Sequence, residues 1–415
     1  MAAGRADGAR RMTDENTIAD LPEDASTDGT EAQGRPLRVL HVSQPTTGGV
    51  ARCVVQAVAA QRRRGWEVSV ACPPDGRLPE ELEADDVPQV PWRAERAPGA
   101  STLDEVRALR RIIASLRPDV VHLHSSKAGL AGRLPGVAAG RPVIFQPHGW
   151  SWLTCDGALA RVSAAWERWA ARSADAIVCV GEGERAQAAA KGIRDRVWTI
   201  RNGVDLCAFQ PADQRERELA RERLGLAPDA PLVVCLGRVT RQKGQDVLLD
   251  AWDRLAAHCP DAELAIVGTG DALDGLRRRG GGRVRFVQDA TDPRDWYAAA
   301  TVVTLPSRWE GLPLVALEAM AVGRSVVASR IPGLAEVVPP EVGALVACGD
   351  ADALAEALAV RLRDPACAEA EGEAAAVHAR GFDVAETQRR LCALTLAVAM
   401  GTADAPALGS AVPVG

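Results

Sequence analysis

Residues 232–259 read LVVCLGRVTRQKGQDVLLDAWDRLAAHC, an apolar run, a polar loop opening on glycine, and a helical pattern. Such a run is too short for a helix of its own and suits a buried strand, while the segment from Gln245 onward carries helical periodicity. Strand, loop and helix in that order make half of a βαβ unit, and the pattern continues on both sides. Downstream come AELAIVGTG, RVRFVQ, VVTLPS, the apolar helix LPLVALEAMAVG and SVVASR. Upstream, LRVLHVS leads through QPTTGGV into the helical ARCVVQAVAAQRRRG and the strand EVSVACP, then DVVHLHS, PVIFQPHG, AIVCVG and VWTIRNG. Repeated βα units imply parallel sheets covered by helices on both faces.

The stretch from 204 to 231, polar and containing prolines, separates two series of such units, each long enough for its own core. At 415 residues the chain exceeds one ordinary core. The expected architecture is α/β, two doubly wound Rossmann-like domains facing across a cleft, with ligand at the carboxyl ends of the strands. The expected division is a disordered tail over 1–35, an N-terminal domain over 36–212, a C-terminal domain over 213–382, a helix over 383–400 that extends the second domain or crosses back to the first, and a tail over 401–415.

Hydrophobic residues make up 47% and charged residues 25% of the chain, ordinary for a globular protein. A net charge of −6 gives no electrostatic case for general nucleic-acid binding. The ten cysteines form no C-x-x-C pair and no cluster with histidine at metal-ligand spacing. Several sit in strand-like runs, as Cys179 and Cys235 do, which suits buried thiols in a reducing compartment. The N-terminal segment lacks an apolar signal core, and no run approaches the ~18 apolar residues of a membrane span. The expected location is therefore cytoplasmic. Peripheral contact at the inner face of the membrane is left open by two basic stretches with apolar neighbours, AAQRRRGWE and RALRRIIASLR, although a solvated helix face is the better account of both.

The chemistry-bearing residues fall at strand-to-helix junctions. In LGRVTRQKG, Arg238 follows a strand and Lys243 precedes a helix, so both can reach one anion, although a solvated basic loop reads the same. In SRWEGLPLVALEAMAVG, Pro313 suits the first helical turn and Gly323 the position past its end. That helix has no polar face, yet it carries Glu318, whose carboxylate needs a partner in protein or ligand. Glu310 sits in the preceding loop beside Gly311, and the helix N-terminus between the two acids attracts phosphate. Gly48 and Gly49 of TTGGV permit close approach of a ligand or of the opposite domain, without matching the dinucleotide pattern G-x-G-x-x-G. His148 follows a strand at the cleft mouth; His122, His124 and Lys127 of HLHSSKAG occupy another strand end and read as cleft lining, with no acidic or thiol neighbours to make a metal site.

Together these residues resemble the retaining glycosyltransferases of the GT-B fold, specifically glycosyltransferase family 4. EGLPLVALEA matches the family's E-x7-E motif, GRVTRQKGQDVLLDA its basic diphosphate site, and SRIPGLAEVV, VGALV and GDADALAEAL follow in the family's order, over roughly Leu37 to Val398. The resemblance implies a retaining hexosyltransferase that moves a sugar from a nucleoside-diphosphate-sugar, UDP- or GDP-linked, to the hydroxyl of a sugar, lipid-linked or small-molecule acceptor. It implies no metal and no cofactor, the nucleotide-sugar being a substrate. It makes Arg238 and Lys243 the diphosphate clamp, Glu310 the acid at the sugar hydroxyls, Glu318 the ribose contact, and the N–H groups of Leu314 and Val315 a phosphate contact, with Gly237, Gly311 and Leu312 beside them. It places His148 near the transferred sugar, and Gly48, Gly49, His124 and Lys127 on the cleft and acceptor side. One departure stands out: where relatives read V-x-F-x-G, this chain has VRFVQDA, with Asp289 or Ala290 at the glycine, leaving the base open. HLHSSKAG and QPHGWSW are reminiscent of members that build cell-surface polysaccharide or glycoconjugates on lipid-linked acceptors. The competing readings are a nucleotide-sugar epimerase or hydrolase on a similar scaffold, and a non-catalytic sugar-nucleotide-binding subunit.

Overall fold

The computed structural model describes residues 35–403 apart from 256–257, 282 and 289–291. The terminal tails expected over 1–35 and 401–415 thus lie almost wholly outside the described residues, as does the Asp289–Ala290 departure. The strands of the first series are β1 Arg38–Ser43, β2 Glu67–Cys72, β3 Gln89–Pro91, β4 Val120–His124, β5 Val143–Gln146, β6 Ala176–Cys179 and β7 Val197–Thr199. Those of the second are β8 Leu232–Leu236, β9 Glu263–Val267, β10 Val284–Val287, β11 Val302–Leu305, β12 Ser325–Ser329 and β13 Gly343–Val346.

They form two wholly parallel sheets, in the orders β3-β2-β1-β4-β5-β6-β7 and β10-β9-β8-β11-β12-β13. Each order runs outward in both directions from its first strand, so connections leave opposite faces on either side of it. The resulting crevices lie beyond β1/β4 and β8/β11, the topological switch points where doubly wound sheets bind ligands. The central strands are buried on both faces, which is why they read as unbroken apolar runs. The two strands that the sequence pattern does not announce, β3 and β13, are edge strands of 3 and 4 residues. An edge strand that short carries too few side chains to show a period.

Between the sheets lies an apolar contact in which Val180 and Val204 pack with Leu312, Leu334 and Phe382. An ion pair from Arg201 Nε to Glu336 at 2.8 Å borders it. The C-terminal helix Val384–Ala399 leaves the second sheet and packs on the first: Leu391, Leu394 and Val398 join Ala57, Val120, Ile144 and Val178 in one core. At the crossing, the Val204 N–H donates to the Phe382 carbonyl at 2.8 Å and the Val384 N–H to the Val204 carbonyl at 3.0 Å.

Candidate active site

The crevices of both sheets open into one cavity of about 360 Å³. β1 delivers the loop Gln44–Thr47 and the helix Gly48–Arg62 to it, β5 delivers His148, β8 delivers Gly237 and Arg238, and the loop after β11 delivers Glu310 to Pro313. Of the residues singled out from sequence, Gly48, Gly49, His148, Gly237, Arg238, Lys243, Glu310, Gly311, Leu312, Leu314, Val315 and Glu318 line this single space. The halves nearly touch across it. A Cβ on Gly49 would lie 3.9 Å from Leu314, and one on Gly311 only 2.8 Å from Val180, closer than carbon atoms pack.

Lys243 Nζ donates to Glu310 Oε1 at 2.6 Å, and the Ser307 hydroxyl donates to the same oxygen at 2.7 Å. Gln242 bridges the group: its amide N–H donates to the Trp309 carbonyl at 3.0 Å, while its Oε1 accepts from Arg238 Nη2 at 2.9 Å. Burial lowers the Arg238 pKa, and the nearby Arg96 guanidinium lowers it further, against the opposing pull of Glu310. A partly buried cation pressed by a second cation is a site that an anion would relieve. The helix that follows runs Leu314–Ala321, with Pro313 one residue outside it at the N-cap, and Gly323 at φ +78° beyond its end. The N–H groups of Leu314 and Val315 have no acceptor among the described residues, as expected at a helix start.

Glu318 finds its partners within the protein. Arg52, from the opposite half, forms an ion pair with it, and the Tyr297 hydroxyl donates to Oε2 at 2.8 Å. Burial is the largest single influence on the Arg52 pKa and lowers it, but the charge and hydrogen bond of Glu318, with Tyr297 and Glu81, together outweigh it and hold the guanidinium above its usual value. No motif pointed to Arg52, although it sits three residues past Gly49 on the same helix and so faces the same space. Arg96 and Asn202, whose side-chain amide donates to the Leu312 carbonyl at 2.8 Å, are further lining residues that the sequence left unmarked.

His148 adopts φ +51°, a left-handed conformation rare outside glycine. Its loop is pinned by Glu184, whose carboxylate accepts from the Gly149 N–H at 2.5 Å and the Val180 N–H at 2.7 Å. Behind it runs a chain of imidazoles: His148 Nε2 to His124 Nδ1 at 3.1 Å, His124 Nε2 to His41 Nδ1 at 2.9 Å, and His41 Nε2 to Gln61 Oε1 at 2.9 Å. With the Gln61 oxygen accepting, each ring in turn donates through Nε2, leaving Nδ1 of His148 as its lone-pair nitrogen. Burial pushes these rings towards neutrality, His41 to about 4, His148 to about 3, and His122 and His124 well below the ordinary histidine value.

Two expectations are corrected here. His124 does not line the cavity but stands behind His148, with His122 stacked on it at a centroid distance of 4.1 Å. Lys127 is remote from the cleft: its ammonium is buried against Glu105 at 2.6 Å and donates to the Ala97 carbonyl at 3.1 Å. A buried ammonium is tolerated only with such partners, so its role is to hold its helix to the 97–105 segment. His41, His122 and His124 each bring a ring nitrogen within 4.8 Å of the others.

Residues 47–207 match the family model described as Glycosyltransferase Family 4, and residues 230–364 the model described as Glycosyl transferases group 1. A D-inositol 3-phosphate glycosyltransferase of Actinosynnema mirum is 32% identical over 398 residues, covering 85% of this chain and 93% of the relative. The chain belongs to glycosyltransferase family 4. A lipopolysaccharide core biosynthesis mannosyltransferase, LpcC of Rhizobium leguminosarum bv. viciae, is 29% identical, covering 80% of this chain and 88% of the relative. Among solved structures, Anabaena HepE in complex with UDP and glucose superposes with a TM-score of 0.74 at 22% identity, covering 86% of this chain and 98% of that one. The fold of this glycosyltransferase is GT-B, two Rossmann-like layers around one cleft. No helix among the described residues is long and apolar enough to cross a membrane.

Proposed function

We propose that this glycosyltransferase is a retaining hexosyltransferase, which binds a UDP- or GDP-sugar in the interdomain cavity and transfers the sugar to a hydroxyl of a lipid-linked or other glycoconjugate acceptor. The observation that carries this reading is the convergence of Arg238, Lys243 and the free N–H groups of Leu314 and Val315 on one wall, with Glu310 and Glu318 on either side. The basic groups and the helix tip suit a diphosphate, and the two carboxylates suit sugar hydroxyls. Lys243 has three N–H donors, so it keeps Glu310 in place while facing phosphate oxygens. Glu318, now held by Arg52 and Tyr297, exchanges the partly exposed guanidinium for ribose hydroxyls. Neutral His148 offers Nδ1 as an acceptor to a donor-sugar hydroxyl.

In the reaction the C1–O bond to the diphosphate breaks as the acceptor oxygen bonds C1 from the same face. The acceptor proton passes to the departing phosphate oxygen. Arg238, Lys243 and the helix N-terminus stabilise charge growing on the leaving diphosphate, where preorganised dipoles act most strongly. Of the relatives, one is named for D-inositol 3-phosphate and one for lipopolysaccharide core biosynthesis; the second supports a glycoconjugate acceptor for this chain, and the first a small-molecule one.

The test is a thermal-shift screen against UDP-, GDP- and dTDP-sugars, followed by nucleotide release with and without acceptor. A bound donor raises the melting temperature by mass action. The expected result is stabilisation by one nucleotide series and acceptor-dependent release. Stabilisation by none overturns the reading, release without acceptor makes the protein a hydrolase, and sugar isomerised in place makes it an epimerase.

A further inference from the structure

We propose that the outer face of the helix Gly157–Ala170 is a docking surface for an anionic lipid bilayer. On this helix Leu159, Val162, Trp166 and Trp169 recur at spacings of three and four residues and share one stripe. Soluble helices turn such a stripe inward, yet Leu159 is 62%, Val162 64% and Trp169 43% exposed. The buried side of the helix is instead formed by Glu167 and Ala170, with Glu167 neutralised by Arg133 at 2.5 Å. The helix therefore satisfies its packing with one face and leaves a second apolar stripe in water.

Charge decides what covers that stripe. Beside it run Arg161 and Arg168, seven residues apart and hence on one line, continued by Arg172 one turn further. Across a shallow hollow lie Lys191 and Arg194, so that four cations, Arg161, Arg168, Lys191 and Arg194, ring one depression. None of these side chains forms an ion pair or a hydrogen bond among the described residues. Some surface cations pair, as Arg185–Glu182, Arg223–Asp295 and Arg389–Glu386 do, while exposed Arg110, Arg111, Arg277 and Arg278 also stand without a partner among the described residues, so what sets this group apart is the exposed apolar stripe beside it. Exposed tryptophan and aliphatic side chains next to unneutralised arginines fit the boundary between acyl chains and anionic headgroups, the tryptophans at the interface and the cations at phosphate. The two basic stretches noted in the sequence lack this combination. On the helix Thr102–Leu116, Leu109 and Ile113 point inward, and Leu103 stands exposed alone.

The placement also serves the reaction. Asp156, the residue just before the helix, pairs with Arg241 of the opposite half at 3.3 Å, so the stripe starts within a turn of the cleft edge, at the far end of the segment that leads away from His148. A bilayer on this face holds the cleft mouth at headgroup level, where a lipid-linked acceptor presents its hydroxyl. That link to catalysis rests on the proposed function, whereas the docking does not.

The test is co-sedimentation of the full chain with vesicles of phosphatidylcholine alone and of phosphatidylcholine mixed with phosphatidylglycerol, at low and high salt, with donor-nucleotide affinity measured alongside. The parent should sediment with the mixed vesicles only, and be released by salt. Arg161→Ala with Arg168→Ala should weaken binding by about 30-fold, and Leu159→Ser with Trp169→Ser by about tenfold or more. Melting temperature and nucleotide affinity should not change in either variant. A parent that stays in the supernatant with anionic vesicles, variants that sediment like the parent, or equal binding to neutral vesicles overturns the proposal. So does a concentration-dependent dimer abolished by Leu159→Ser with Trp169→Ser, which would assign the stripe to a second copy. Absent nucleotide binding with vesicle binding intact would instead overturn the proposed function alone.

Discussion

Replacing Arg52 with methionine isolates the pair that ties the two halves together across the cavity. In the parent, Glu318 has a side chain only 4% exposed and is met by Arg52 and the Tyr297 hydroxyl. Methionine keeps most of the apolar stem but leaves a buried carboxylate with one neutral donor. Breaking a buried pair costs about 3–5 kcal/mol, but the Arg52 side chain is 31% exposed, so solvent already screens part of the attraction and about 2 kcal/mol is the working figure. That corresponds to roughly a 30-fold shift in the unfolding equilibrium. Adding Glu318→Gln to the same chain removes the stranded charge and should recover more than half of the loss, because what is expensive is the unpaired carboxylate rather than the absent bond. Urea unfolding of the parent, Arg52→Met and the double variant, without nucleotide, reads these differences as midpoints. A nucleotide-sugar should then shrink the Arg52→Met deficit, since ribose hydroxyls would serve the carboxylate. An Arg52→Met protein within about 0.5 kcal/mol of the parent, or a double variant no more stable than Arg52→Met, would refute the reasoning.

Lys243→Ala should lower kcat/KM by about 100- to 1,000-fold, the usual cost of one lost transition-state charge contact. Steady-state kinetics with the identified donor reads this, and an unchanged value removes Lys243 from the clamp. Gly311→Ala would set a Cβ 2.8 Å from Val180 and should destabilise the chain by about 1–3 kcal/mol through overpacking, measurable by the same urea titration. Stability should fall on acidification. The folded-state pKa of His41 is about 4 and that of His148 about 3, both below the unfolded value near 6.5, so the unfolded chain takes protons first. Their contribution is complete above pH ~6.5 and is lost as pH drops towards those values, at up to about 1.4 kcal/mol per unit for each ring. His148→Gln should flatten that slope in a pH series of unfolding midpoints.

The layered α/β architecture was legible because parallel strands buried on both faces leave continuous apolar runs such as Val233–Cys235 and Ile177–Val180, and a run of that kind needs no knowledge of its neighbours. The short strands β3 and β13 lacked that signal. The acids and bases at the strand ends were legible as a set because loops at carboxyl ends are where side chains converge. Their pairings were not. Arg52 and Glu318 are 266 residues apart, and nothing in either local pattern specifies the other. Lys127 failed in the opposite way. Its strand-end position suggested the cleft, but one helical turn is enough to aim a side chain elsewhere, and Glu105, on a different helix, claimed it. The imidazole chain behind His148 depends on β1 and β4 lying side by side, with His41 directly opposite His122, a register that only the sheet order reveals.

The C-terminal helix has a consequence for how the molecule is made. Because Leu391, Leu394 and Val398 complete the core beneath β4, β5 and β6, a ribosome must have translated past residue 398 before the first half of the fold can seal its own interior. A fragment ending before Asp383 would carry that seam bare, so nicked or prematurely terminated chains should aggregate rather than persist as a working half. The same return stroke makes the chain cross between the two lobes twice, side by side, where Val204 and Asp383 form a parallel bridge, so that cutting either crossing alone would leave the lobes covalently joined.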